Sequence, residues 1–321
     1  MRAAPTISLV IPLYNEETTI AELLHQTRSV LDRMGGGAHE ILLVDDGSRD
    51  RTLELLTQAA AADQRVVVVA LSRNFGHQAA LSAGLDHARG DVVIVMDGDL
   101  QDDPVVIPRF IELYQQGYDV VYAQRVRRKE PWWLKLSYAA FYRLLAGIAE
   151  LPLPLDAGDF SLISRPVLHE IQRAPERNRY LRGLRAWAGF RQTGVPVERT
   201  RRFAGKSKYN LWRLFKLALD GIFAFSIAPI RAVAVLGVVA IGFSSLYALY
   251  ALYAKFFLTR SPQGFTTLVL LMIFLSGVNL FFLGVIGEYV GRVYAEVKER
   301  PVYVVGSIIR HPDRLASPPV A

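Results

Sequence analysis

An α/β fold of the Rossmann-like kind, with a mostly parallel sheet and helices on both faces, is what this 321-residue sequence predicts, followed by interfacial helices and a two-helix transmembrane hairpin. Short β-branched runs alternate with amphipathic stretches from Ile7 to Ala123, the pattern of βαβ units. Farther on, Ala232–Ala254 and Ser261–Gly287 carry no charged residue, and each exceeds the roughly 20 residues that cross a bilayer core. Third, the apolar runs end abruptly in carboxylates, and the carboxyl ends of parallel strands are where open α/β sheets bind ligands.

The strands are expected at Ile7–Leu13, Glu40–Val44, Arg65–Leu71, Val92–Met96 and Asp119–Ala123. Between them, Glu16–Met34, Thr52–Ala62, His77–Ala88 and Pro104–Gln116 read as helices, which makes the connections right-handed βαβ crossovers. Residues 1–205 then form the catalytic domain. Two segments rich in aromatics, Leu and cations, near 131–146 and at 206–228, suit helices lying in a membrane interface, although the first fits packing on the domain core equally well. The spans are placed at 229–256 and 264–288, joined by a short loop at 257–263 and followed by a tail at 289–321.

Met1–Thr6 lead directly into the first strand with no signal-peptide pattern, so the large domain is expected in the cytoplasm. Cations flank the hairpin on its domain side (Arg213, Lys216 and Arg231 before it, Arg292 and Lys298 after it), and only Lys255 and Arg260 lie in the connection. Positive-inside bias gives the same orientation, that of a multi-pass protein of the inner (plasma) membrane. Much of the +7 net charge lies near the spans, where it meets anionic lipid and phosphorylated ligands rather than nucleic acid. The absence of cysteine excludes disulfides and thiolate metal sites.

Asp97-Gly98-Asp99 closes the fourth strand. In an extended backbone the two carboxylates share a face, and hard oxygen donors at a sheet edge suit Mg²⁺ or Mn²⁺ with a diphosphate. A bare Asp-x-Asp fits a solvated turn equally well, and Asp45-Asp46-Gly47-Ser48 alone reads as a turn with a helix cap. Converging with Pro12-Leu13-Tyr14-Asn15-Glu16, these ends read as a nucleotide site, with an acid after the second strand placed for a ribose hydroxyl or base N–H.

Val10–Glu16, Asp45–Ser48, Arg73-Asn74-Phe75-Gly76 and Asp97–Gln101 resemble the motifs of inverting GT-A glycosyltransferases of family 2. Gly158-Asp159-Phe160, Arg202–Tyr209 and Gly284–Arg292 narrow the resemblance to polyprenyl-phosphate glycosyltransferases, most of all the bactoprenol (undecaprenyl-phosphate) glucosyltransferases, with dolichol-phosphate mannose synthases as a related group. The resemblance implies a GT-A fold and transfer of a hexose, glucose by best guess, from a UDP-sugar to polyprenyl phosphate. GDP-mannose or a UDP-amino sugar remains an alternative donor, and a membrane-tethered nucleotide-sugar sensor a non-catalytic alternative.

By the same resemblance, Asp45 and Asp46, aided by Pro12, Tyr14 and Glu16, contact the nucleoside, and Asp97, Asp99 and Gln101 hold Mg²⁺ or Mn²⁺ with the donor diphosphate. Arg125, Arg202, Lys206 and Lys208 receive the lipid phosphate, and Asp159 stands at the reacting centre. A phosphate monoester has its second pKa near 6, so a strong base is hardly required there, and Asp159 chiefly positions the acceptor or takes a residual proton. Gly98 stands where relatives often carry Ala, and Asp103 where they continue with Pro. A homotetramer is implied too, with Gly237, Gly242, Gly277 and Gly284 permitting close contacts between spans.

Overall fold

The computed structural model describes residues 2–125, 157–176, 179–197 and 264–315, together with scattered helical positions between 235 and 257. The proposed interfacial helices at 131–146 and 206–228 lie outside the described residues, as do most of the first span and the tip of the tail.

Eight strands form one mixed sheet: β1 (Ile7–Leu13), β2 (Glu40–Asp45), β3 (Val66–Leu71), β4 (Val92–Val95), β5 (Val120–Arg125), β6 (Ala157–Ser164), β7 (Gln192–Val197) and β8 (Val305–Arg310). Their order across the sheet is β7-β5-β6-β4-β1-β2-β3-β8. β1 to β4 pair in parallel, as the βαβ pattern requires. β6 enters between β4 and β5, antiparallel to both, and β8 pairs antiparallel with the outer edge of β3. β5 falls where the sequence places it, whereas β6, β7 and β8 have no counterpart among the expected strands.

The helices are α1 (Ile20–Leu31), α2 (Thr52–Ala62), α3 (His77–His87), α4 (Ile107–Gln115, entered through a 3₁₀ turn at Pro104–Val106), α5 (Arg165–Arg173), α6 (Leu181–Trp187), α7 (Phe265–Val297) and α8 (Pro312–Leu315). Every residue of β1 is buried, and its side chains alternate between two cores. Ile7, Leu9 and Ile11 pack with Leu23 of α1, Leu56 of α2 and Phe110 of α4. On the opposite face Val10 meets Leu81 of α3, and that core includes Val167 of α5 and Leu184 of α6. The sheet is therefore covered on both faces. Asp103 caps the 3₁₀ turn, accepting from Val105 N–H at 2.9 Å, so that helical stretch starts at Pro104.

The chain divides into two compact units, the first holding the whole sheet including β8 and the second holding α7. α7 has 33 residues, about 50 Å at 1.5 Å per residue, and its segment Phe274–Val297 is long and apolar enough to cross a membrane. Leu280 and Phe281 are among its exposed side chains. The helix continues past position 288, the expected end of the second span, as far as Val297, and residues 305–315 of the supposed tail form β8 and α8.

Candidate active site

The site opens where β1 and β4 part. Their pairing ends at Val10 and Val95, whereas β1 continues to Leu13 beside β2. Pro12 falls beyond that last pair, so its missing N–H interrupts no bond to β4. Beside it, at the carboxyl ends of β1 and β2 and under the start of α3, lies a cleft of about 270 Å³, lined by Pro12, Tyr14, Asp46, Asn74, Gly76 and His77 among others. The carboxyl ends of parallel strands are the usual ligand position in such sheets.

Asp46 shapes one wall. Its carboxylate accepts from Phe75 N–H at 2.7 Å, Gly76 N–H at 3.0 Å and the Asn74 side-chain amide at 3.0 Å, folding the Arg73–Gly76 loop over the end of β2. Gly47 makes this approach possible: its φ is +65°, and a Cβ there would stand 2.5 Å from the carbonyl carbon of Arg73. Burial pushes the Asp46 carboxyl up, against the pull of the two backbone N–H groups. Asp45 is also buried and also raised by burial, and it accepts from Ser48 N–H. Tyr14 is 42% exposed on the rim. Glu16 accepts from the Thr19 hydroxyl at the start of α1.

Asp97 and Asp159 flank His77, whose Nε2 lies 3.5 Å from Asp97 Oδ1 and 3.9 Å from Asp159 Oδ2. This joins two of the residues singled out by sequence through a third that was not. The Asp97-Gly98-Asp99 segment is a turn rather than the extended strand assumed above, because β4 stops at Val95; Asp99 Oδ1 accepts from Gln101 N–H at 3.2 Å, and Leu100 takes a φ of +57°. The shared-face argument from strand periodicity therefore does not apply.

Asp159, near the start of β6, is 7% exposed. Arg182 grips it through two bonds, Nε to Oδ1 at 2.7 Å and Nη2 to Oδ2 at 2.8 Å. Burial would raise this carboxyl, but the hydrogen bonds and charge of Arg182 prevail and hold it below the usual carboxylate range. Arg185, 2% exposed, donates to the Gly158 carbonyl at 2.9 Å, and burial pushes its guanidinium down to about 10, still charged at neutral pH.

Arg125 ends β5 in register with Val197 of β7. Arg202, Lys206 and Lys208 lie outside the described residues. Sequence reasoning missed His77, Arg182 and Arg185. His77 directly follows the Arg73–Gly76 motif, a signal within reach; the two arginines sit in an Arg-rich stretch where nothing local distinguishes them.

Residues 8–172 match the family described as Glycosyl transferase family 2. The uncharacterized glycosyltransferase YkcC of Bacillus subtilis (strain 168) is 44% identical over 93% of this chain and 92% of its own length. The bactoprenol glucosyl transferase of Shigella phage SfX is 40% identical over 94% of this chain and 99% of its own. Among solved structures, the mannosyltransferase PcManGT from Pyrobaculum calidifontis, in complex with GDP-Man and Mn²⁺, aligns with a TM-score of 0.47 at 21% identity, covering 71% of this chain and 65% of that one. With a family match over half its length and end-to-end likeness to these relatives, the chain belongs to glycosyl transferase family 2 and is a glycosyltransferase.

Proposed function

We infer that this enzyme transfers a hexose, glucose as the leading candidate, from a UDP-sugar to a polyprenyl phosphate at a membrane surface, inverting the anomeric carbon. The observation that carries the reading is the 40% identity to a bactoprenol glucosyl transferase along nearly the whole of both chains, the apolar C-terminal region included. The α7 helix, whose Phe274–Val297 segment is long and apolar enough to cross a membrane, supports a membrane attachment.

Asp97, Asp99 and Gln101 are assigned to a divalent ion on the motif resemblance. Among the described residues no group of three or more His, Cys, Asp or Glu is placed to hold one, so a Mg²⁺ or Mn²⁺ there would take its remaining ligands from diphosphate and water. Such an ion, when bound, neutralises charge on the departing nucleoside diphosphate. The cleft wall of Tyr14, Asp46 and Asn74 is the place for the nucleoside. The lipid phosphate, already largely ionised at neutral pH, attacks the anomeric carbon while the bond to the diphosphate oxygen breaks. Arg125, Arg202, Lys206 and Lys208 are assigned to that phosphate, and Asp159 to the reacting centre. A homotetramer belongs to the same reading, with Gly277 and Gly284 of α7 as small residues that permit close helix contacts.

The test is a panel of labelled UDP- and GDP-sugars supplied with undecaprenyl phosphate and Mg²⁺ or Mn²⁺, read as label entering the lipid phase. Transfer from UDP-glucose is expected. Transfer from GDP-mannose or a UDP-amino sugar alone would replace the donor, and none from any sugar nucleotide would overturn the reading.

A further inference from the structure

Arg182 and Arg185 lie beyond the family-matched residues 8–172, and no motif marks them. Three apart on α6, they fall on one side of that helix. Arg182 meets the Asp159 carboxylate with paired N–H···O bonds of 2.7 and 2.8 Å, while Arg185 holds the peptide before it through the Gly158 carbonyl. The Asp159 carbonyl is taken by the Ser161 hydroxyl at 2.8 Å. The first amide of α6, Leu181 N–H, is accepted by Gln78 Oε1 at 3.1 Å, one residue from His77 on the cleft wall. Side chain, backbone and the helix carrying both arginines are thus tied to one another and to α3.

Resting on the reading that places Asp159 at the reacting centre, we propose that Arg182 is a positioning residue, which holds Asp159 as a fixed, charged hydrogen-bond acceptor on the His77 side of the site. The forked guanidinium sets the plane of the carboxylate, which a single ammonium cannot do. Asp159 is nine-tenths buried, and without a cation a carboxyl there would favour its protonated form and become a donor. Arg182 occupies one lone pair on each oxygen, so each keeps capacity for a further hydrogen bond. The pair therefore presents a fixed acceptor to a donor group of the substrates such as a sugar hydroxyl, a positioning task that remains when the attacking phosphate arrives already ionised.

The full-length enzyme in nanodiscs is assayed with UDP-glucose and undecaprenyl phosphate as wild type, Asp159→Asn, Arg182→Gln, Arg182→Lys and the Asp159→Asn/Arg182→Gln double variant, measuring kcat, both KM values and the unfolding midpoint. Arg182→Gln, Asp159→Asn and the double variant are expected at one common kcat, about 100-fold below wild type, with the donor KM unchanged. Arg182→Lys should fall between, keeping charge but losing the fork. The midpoint should drop in both single variants and recover in part in the double, which no longer buries one member of the pair alone. A kcat that recovers together with the midpoint would overturn the proposal in favour of a purely structural pair. So would an Arg182→Gln effect confined to the lipid KM and additive with Asp159→Asn, which would make Arg182 a phosphate-binding cation. Failure of this inference appears as an active wild type with an equally active Arg182→Gln variant; failure of the underlying reading appears as a wild type that transfers no sugar.

Discussion

Asp46 and Asp159 are buried carboxylates at the same end of one sheet, and they are held in opposite ways. Asp46 belongs to the parallel half, where backbone N–H groups of Phe75 and Gly76 take its charge. Asp159 belongs to the antiparallel strand β6, and a guanidinium from a distant helix takes it. The first arrangement leaves the carboxyl raised by burial and fixes the path of a loop; the second leaves it lowered by Arg182 and fixes a charge. One carboxylate shapes a loop and the other completes an ion pair.

Removing the ion should have the largest effect. Asp159→Ala strands Arg182 and Arg185 without their carboxylate, and because Arg182 keeps 30% of its side chain exposed the cost belongs at the low end for a broken buried pair, about 3 kcal/mol by chemical denaturation. A loss no greater than that of a surface aspartate would show that solvent, not Asp159, balances the arginines. Next comes Gly47→Ala. Its left-handed φ and the Arg73 backbone 2.5 Å away predict a loss of about 2 kcal/mol and a displaced Arg73–Gly76 loop. Gly98→Ala is the comparison without a left-handed φ: the added methyl meets the tip of Leu13 at 2.4 Å, the Pro12 carbonyl oxygen at 3.2 Å and Ile11 at 3.4 Å, and with Leu13 and Ile11 both buried the overpacking should cost about 1–2 kcal/mol.

Asp46→Asn should be milder than Gly47→Ala, about 1–2 kcal/mol. It relieves the burial of a charge, yet either amide orientation sets an N–H₂ against a donor, Phe75 N–H on one side or Gly76 N–H and the Asn74 amide on the other. Faster hydrogen exchange at Phe75 and Gly76 is the readout. The smallest effect is in acid. Asp159, held below 3.8, contributes stability above the ordinary value and loses it only as pH falls through its lower folded value. Asp46, raised above 3.8, penalises the fold while charged, and that penalty is relieved as pH falls through its higher folded value. Carboxyl carbon shifts should therefore show Asp46 titrating at higher pH than Asp159; coincident midpoints would erase the contrast.

The parallel half was legible because local pattern and final position coincide there. Ile7–Leu13 is apolar throughout but for Ser8 and is buried throughout, and Asp45 ends, while Asp46 and Asp97 follow, strands that the hydrophobic runs reveal. β6 was not legible: Ala157–Ser164 is a short mixed run whose place between β4 and β5 is decided by long-range pairing. The Arg182 to Asp159 contact likewise depends on α6 folding back over 23 residues, which no periodicity encodes. The turn at Asp97–Asp99 shows the opposite error, a strand rule carried past the end of the strand.

β8 gives the chain a circular logistics. Val305–Arg310 is made after α7, yet it pairs along β3, with Ser72 N–H bonded to the Val304 carbonyl at 2.9 Å and Tyr303 to Asp86 at 2.8 Å. The flank of β3 therefore stays open during synthesis until the apolar helix has left the ribosome, an interval in which an unpaired edge invites other chains. Trimming the gene at the start of the apolar region would make that interval permanent. A water-soluble version should instead excise the helical segment and rejoin Tyr303–Arg310 to the catalytic unit by a linker.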